Sequence, residues 1–122
     1  MKFLETHALL KKYNIRPKKS LGQNFLGEPA GLRKVLTAAE LQGNEQVLEI
    51  GAGLGSLTVL LAQNAKEVLA IEIDQNLFPA LQEALAPYAN VKTIHGDILK
   101  LDLDGLLEDQ DFVVVANIPY YI

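Results

Sequence analysis

The chain contains no cysteine, which excludes a disulfide framework and any thiolate metal centre. It has only two histidines, His7 and His95, and neither has a second imidazole at ligand spacing, so no metal is expected. No apolar run approaches the length needed to span a bilayer, and no membrane association is expected. The first residues include Lys2 and Glu5 and offer no continuous apolar stretch of the signal-peptide kind, so a reducing, cytoplasmic setting is expected. Internal repeats and low-complexity segments are missing as well. What remains is 122 residues, 49% hydrophobic and 21% charged, enough for one domain with its own core.

The formal net charge of −4 hides an uneven distribution. Six of the eleven basic residues lie in the first nineteen (Lys2, Lys11, Lys12, Arg16, Lys18 and Lys19), against the single acid Glu5. The body that follows is acidic. A basic arm on an acidic body is either a contact for a polyanion or a solvated tail, and charge alone does not choose.

Periodicity divides the chain into alternating elements. Residues 3–13 read as a short helix closed by Asn14 and Pro17, and residues 18–27 have neither a helical nor a strand period. A second helix opens at Pro29, repeats Leu32, Val35, Leu36 and Ala39 at helical spacing, and has Gly43 as its C-cap. Strands are expected over 47–50, 68–73, 91–94 and 112–116. Helices are expected from Ser56 to about Asn64 and from near Asp74 to Ala86. Asp74 stands as the N-cap of the latter, and Pro79 forces a late start or a kink. Residues 99–110 read as loop with a short helical turn.

Strands alternating with helices predict an α/β fold, a parallel sheet with right-handed crossovers. Ligands of such sheets bind beyond the carboxyl ends of the strands. The four chemically loaded spots all fall there: Gly51, Gly53 and Gly55 after the first strand, Glu72 to Asp74 closing the second, Asp97 after the third, and Asn117 after the fourth. The glycine run is Gly-x-Gly-x-Gly rather than the longer Gly-x-Gly-x-x-Gly of dinucleotide enzymes, and suits a ligand with no pyrophosphate to seat, such as a nucleoside with an amino-acid tail. Its bland reading is a tight turn between a closely packed strand and helix. Glu72, 21 residues past Gly51, stands where an acid accepts from both ribose hydroxyls. Asp97 suits an adenine amine or, equally, an Asx-turn. In Asn117-Ile-Pro-Tyr, the Asn117 side chain and a backbone carbonyl beside Pro119 form two acceptors for an exocyclic base amine, with Tyr120 to stack on the base. The alternative there is a strand ended by proline, with Tyr120 in the core.

Taken together, Lys19-Ser-Leu-Gly-Gln-Asn-Phe-Leu26, Leu48-Glu-Ile-Gly-Ala-Gly-Leu-Gly-Ser-Leu-Thr58, Glu72-Ile-Asp74, Gly96-Asp-Ile98 and Asn117-Ile-Pro-Tyr-Tyr121 resemble the ribosomal RNA adenine N6-dimethyltransferases. The resemblance leans to the small-subunit branch over the large-subunit enzymes of antibiotic resistance. It implies a Rossmann-like methyltransferase fold using S-adenosylmethionine, with flanking helices on a parallel sheet. Residues 1–27 would then be a basic helix and a cofactor-closing loop, and residues 28–122 the first part of the catalytic domain, truncated after the fourth strand. Asn24 and Leu26 would close over the cofactor. Gly51 and Gly53 would hold its methionine part, Glu72 the ribose and Asp97 the adenine, with Ile73 and Ile98 also among the cofactor-binding residues. Asn117, Pro119 and Tyr120 would form the methyl-transfer site, with Asn117 also beside the cofactor. Lys11, Lys12, Arg16, Lys18 and Lys19 would touch phosphates of small-subunit ribosomal RNA or of an immature small subunit. The family often has proline at the position of Ala52, and its members continue into further strands and a C-terminal helical domain. An N-terminal fragment is therefore expected, inactive alone, with residues 112–116 exposed as an apolar edge prone to self-association. A non-catalytic RNA-binding assembly factor on the same fold is the reading from another class. A nicotinamide dehydrogenase is disfavoured by the glycine spacing.

Overall fold

The computed structural model describes residues 29–106 and 112–116. Their elements run α1 (Pro29–Ala39), β1 (Gln46–Ile50), α2 (Ser56–Asn64), β2 (Glu67–Glu72), α3 (Phe78–Leu85), β3 (Val91–His95), α4 (Leu103–Leu106) and β4 (Phe112–Ala116). The four strands form one wholly parallel sheet in the order β3-β2-β1-β4. The chain therefore steps outward from β1 through β2 to β3, then returns to the other side of β1 for β4. The carboxyl end of β1 lies at this reversal, where open α/β sheets form their ligand crevice.

Parallel pairing puts residues of equal register on the same face. On one face Val47, Val68, Val113 and Val115 meet Leu57, Leu61 and Ala62 of α2, with Leu32, Leu36 and Ala39 of α1 packed behind. Further along that face Ala70 packs with Val59 of α2 and with Leu81 and Leu85 of α3. The opposite face carries Leu48, Leu69 and Ile71, covered by Ile98, Leu101, Leu103 and Leu106 from the segment that contains α4. The inner strands β1 and β2 are thus buried on both sides, which is why they read as continuous apolar runs rather than as alternating ones. The Asn90 side-chain amide donates to the carbonyls of Ala62 (2.8 Å) and Ala65 (3.3 Å) and ties the end of α2 to the turn before β3.

The boundaries depart from the sequence reading where pairing or turn geometry outweighs composition. Gln46 joins β1 because it pairs with Glu67 and Phe112, and His95 joins β3 opposite Glu72. β2 ends at Glu72, not at 73. Gly43 is not the cap of α1: Glu40 takes the left-handed conformation (φ 52°), its N–H donating to the Thr37 carbonyl at 3.2 Å. Gly43, also left-handed (φ 102°), serves the following loop, where the Glu45 carboxyl accepts from the amides of Gln42 and Gly43. Asp74 is not the N-cap of α3. It organises the preceding turn, its Oδ1 accepting from Asn76 N (2.8 Å) and its carbonyl from Leu77 N and Phe78 N. Pro79 then sits in the first turn of α3, where its missing N–H costs no helical bond, and the helix starts late, as expected. Val114 on β4 is 51% exposed, and β4 is an outer strand of the described sheet.

Candidate functional site

The site grows from the end of β1. The amides of Gly51 and Ala52 both donate to the Ile71 carbonyl, at 2.9 and 3.1 Å, so the chain leaves β1 while still fastened to β2. Gly53 (φ 62°) and Gly55 (φ 89°) then turn the backbone through left-handed conformations that cost an L-residue with a side chain about 1–2 kcal/mol each. Gly55 is also a packing position. A Cβ there would stand 3.2 Å from both Leu81 Cδ1 and Leu85 Cδ2, tighter than ordinary contact, so these two α3 leucines would have to shift to admit a side chain. Gly51 shares the positive φ, at 78°.

Glu72 holds the free side of this turn. It is 5% exposed, and its two carboxyl oxygens are divided between two loops: Oε1 accepts from Gly53 N and Oε2 from Asp74 N, each at 2.8 Å. One side chain therefore fixes the glycine turn after β1 against the turn after β2. Two backbone donors use two of the roughly four acceptor positions of a carboxylate, leaving one on each oxygen. Beside it Ile73 is 63% exposed, an apolar side chain on a polar rim. Asp97 follows β3 and opens a turn, its Oδ1 accepting from Leu99 N at 3.0 Å and its carbonyl from Lys100 N at 2.9 Å. The Asx-turn reading of Asp97 is thus realised, while Oδ2 is not used in it. Ile98 is half-buried against the core of the second sheet face. Gly51, Gly53, Glu72, Ile73, Asp97 and Ile98 accordingly share the carboxyl-end rim of three neighbouring strands.

Three residues on the same side of the sheet escape a reading by spacing alone. Glu49, in the middle of β1, is 1% exposed, and its Oε1 accepts a hydrogen bond from the buried Thr58 hydroxyl of α2. Burial pushes the Glu49 carboxyl up to about 8, the Thr58 bond opposes that rise, and the nearby Glu72 adds to it. A carboxyl flanked by apolar residues inside a strand is the signal that marks it. His95, known from the sequence only as a histidine without a metal partner, sends Nε2 to the Ile73 carbonyl at 3.1 Å.

Asn24, Leu26, Asn117, Pro119 and Tyr120 lie outside the described residues, as do Lys11, Lys12, Arg16, Lys18 and Lys19. Among the described residues no group of three or more Asp, Glu, His or Cys is arranged to hold a metal, and no helix is long and apolar enough to cross a membrane. A nucleoside ligand fits what is described: a buried carboxyl with spare acceptor positions, a second carboxyl one strand away, and an exposed branched aliphatic between them.

Comparison with known proteins agrees with this architecture. The family described as ribosomal RNA adenine dimethylase matches residues 14–122. The small-subunit ribosomal RNA methyltransferase A of Lysinibacillus sphaericus is 46% identical over 98% of this chain and 42% of its own length. The chain spans about two fifths of the curated relatives it matches. Among solved structures, the 23S ribosomal RNA methyltransferase ErmE aligns with TM-score 0.68 and 32% identity, over 76% of this chain and 36% of that one. A dimethyladenosine transferase from Plasmodium falciparum aligns with TM-score 0.65 and 35% identity, over 77% and 33%. The Rossmann-like methyltransferase fold expected from the sequence is the one observed. Strand order, the glycine turn, the strand-end acids and these matches converge: the chain belongs to the ribosomal RNA adenine dimethylase family.

Proposed function

We propose that this chain is the S-adenosylmethionine-binding part of an enzyme that dimethylates adenosines at N6 in small-subunit ribosomal RNA, acting on immature small subunits in the cytoplasm. The observation that carries the reading is Glu72, whose carboxyl braces the glycine turn and keeps one acceptor position on each oxygen for a pair of ribose hydroxyls. The small-subunit assignment is supported by relatives of that name at 45–50% identity, such as those of Lysinibacillus sphaericus and Staphylococcus epidermidis. The match to ErmE favours a second reading, methylation of large-subunit RNA.

S-adenosylmethionine supplies an electrophilic methyl group for direct in-line displacement. The residues do the rest by holding and aiming. Gly51 and Gly53 bring backbone close to the methionine end, with no side chain in the way. Glu72 accepts from the ribose, Asp97 accepts from the adenine amine, and Ile73 and Ile98 flank the base. Asn24 and Leu26 close over the cofactor. The Asn117 side-chain carbonyl and the backbone carbonyl beside Pro119 accept both N–H groups of the target amine. Those bonds favour a more pyramidal, nucleophilic nitrogen and point it at the methyl group. Tyr120 stacks on the target adenine, and Lys11, Lys12, Arg16, Lys18 and Lys19 meet RNA phosphates.

The test is transfer of labelled methyl groups by the full-length protein to immature small subunits and, separately, to naked large-subunit RNA. Transfer to small subunits, lost in Asn117→Ala with folding intact, is expected. Transfer to large-subunit RNA alone favours the second reading, and transfer to neither overturns both.

A further inference from the structure

We propose that His95 is a positioning residue for the cofactor's adenine end, its imidazole holding the Ile73 peptide and thereby the Ile73 side chain in place. The inference rests on the adenosine reading of the rim given above. Glu72 and His95 are register partners, and Gly96 N donates to the Glu72 carbonyl at 3.0 Å. β2 ends at Glu72, and the Ile73 carbonyl lies one residue beyond it. The chain after Gly96 turns through the Asp97 Asx-turn, where Leu99 N donates to Asp97 Oδ1. The His95 side chain places Nε2 3.1 Å from the Ile73 oxygen. An imidazole at the end of β3 thus holds the peptide just past the end of β2.

That contact has a defined chemistry. A carbonyl only accepts, so Nε2 carries the proton, either in the Nε2–H tautomer or in the imidazolium. Phe78, the first residue of α3, lies against the imidazole, its ring centroid 5.3 Å away at an interplanar angle of 36°. His95 therefore joins the end of β2, the end of β3 and the start of α3. Ile73 needs such a brace more than its neighbours do. Its side chain is 63% exposed and has little packing to fix it, whereas Glu72 is buried and bonded to both flanking turns. His95 is itself exposed, so water can replace the donor when the imidazole is removed. The fold then survives while the ordered platform for a flat base does not.

The experiment titrates the full-length protein with S-adenosylhomocysteine and with 5′-methylthioadenosine by calorimetry, in wild type, His95→Ala, His95→Phe and His95→Gln. Thermal midpoints are read alongside. Ala and Phe are expected to weaken both ligands by the same factor, about tenfold, with midpoints close to wild type. Gln, whose amide N–H also reaches the carbonyl, is expected to stay within about threefold of wild type. Phe keeps a ring against Phe78 and loses the donor, so full affinity in Phe overturns the hydrogen-bond role. Unchanged affinity in Ala, or failure of Gln to recover what Ala loses, overturns it as well. If wild type binds neither ligand, the adenosine reading itself falls and takes this inference with it.

Discussion

Glu49→Gln isolates the cost of the carboxyl buried between β1 and α2. The Glu49 side chain is 1% exposed and its acid form is favoured up to about pH 8, against an ordinary value of 4.5. Between those values the folded chain keeps a proton that the unfolded chain has released, so stability falls as pH rises. The contribution is complete below about 4.5, declines through the interval, and levels off above about 8. One pH unit corresponds to about 1.4 kcal/mol, so the three units from pH 5 to pH 8 amount to roughly 4 kcal/mol as an upper estimate. Glutamine is near in shape, keeps an oxygen for the Thr58 hydroxyl, and does not titrate. Urea unfolding of both proteins at pH 5, 6, 7 and 8 reads the effect as a difference of differences, in which the other titrating groups and any constant packing offset cancel. The expected outcome is a wild type that loses several kcal/mol relative to the variant between pH 5 and pH 8. Parallel stability curves, within about 0.5 kcal/mol over that range, would refute a protonated, buried Glu49.

Other changes probe the rim and the frame beneath it. Glu72→Gln puts an amide N–H against Gly53 N or Asp74 N, and a buried donor left unpaired costs about 1–3 kcal/mol. Its affinity for S-adenosylhomocysteine by calorimetry should fall at least about tenfold, and an unchanged affinity would remove Glu72 from the site. Gly55→Ala combines left-handed strain with a Cβ pressed against Leu81 and Leu85 and should cost about 2–4 kcal/mol in urea unfolding. A loss under about 0.5 kcal/mol would contradict the tight packing of Leu81 and Leu85 against Gly55. The 122-residue chain should self-associate through the exposed face of β4, and Val114→Lys should suppress this in sedimentation velocity. A wild-type chain that stays monomeric at high concentration would count against that surface.

The order of elements and the parallel sheet were legible because both patterns are written in composition. Short apolar runs marked β1 and β2 as buried on both faces, and the glycines marked where backbone leaves the sheet. Pro79 announced the late start of α3. The boundaries that moved are those set by partners instead of by the residue itself. Gln46 is in a strand because Glu67 and Phe112 flank it, and Glu40 rather than Gly43 turns left-handed at the end of α1. The site divides in the same way. The places of Glu72 and Asp97 at the carboxyl ends of β2 and β3 follow from their spacing along the chain. The bracing of Gly53 by Glu72, the Thr58 bond to Glu49 and the imidazole contact at Ile73 join residues 9 to 22 apart in the chain, through side chains whose directions only the folded structure supplies.

The most direct test of the account is a crystal structure of the full-length protein with S-adenosylhomocysteine bound. The ribose hydroxyls are expected within hydrogen-bond distance of the two Glu72 oxygens, with the Gly53 and Asp74 bonds retained and the adenine against Ile73. A nucleoside seated away from Glu72, or one that displaces Gly53 from it, would contradict the assignment of this rim.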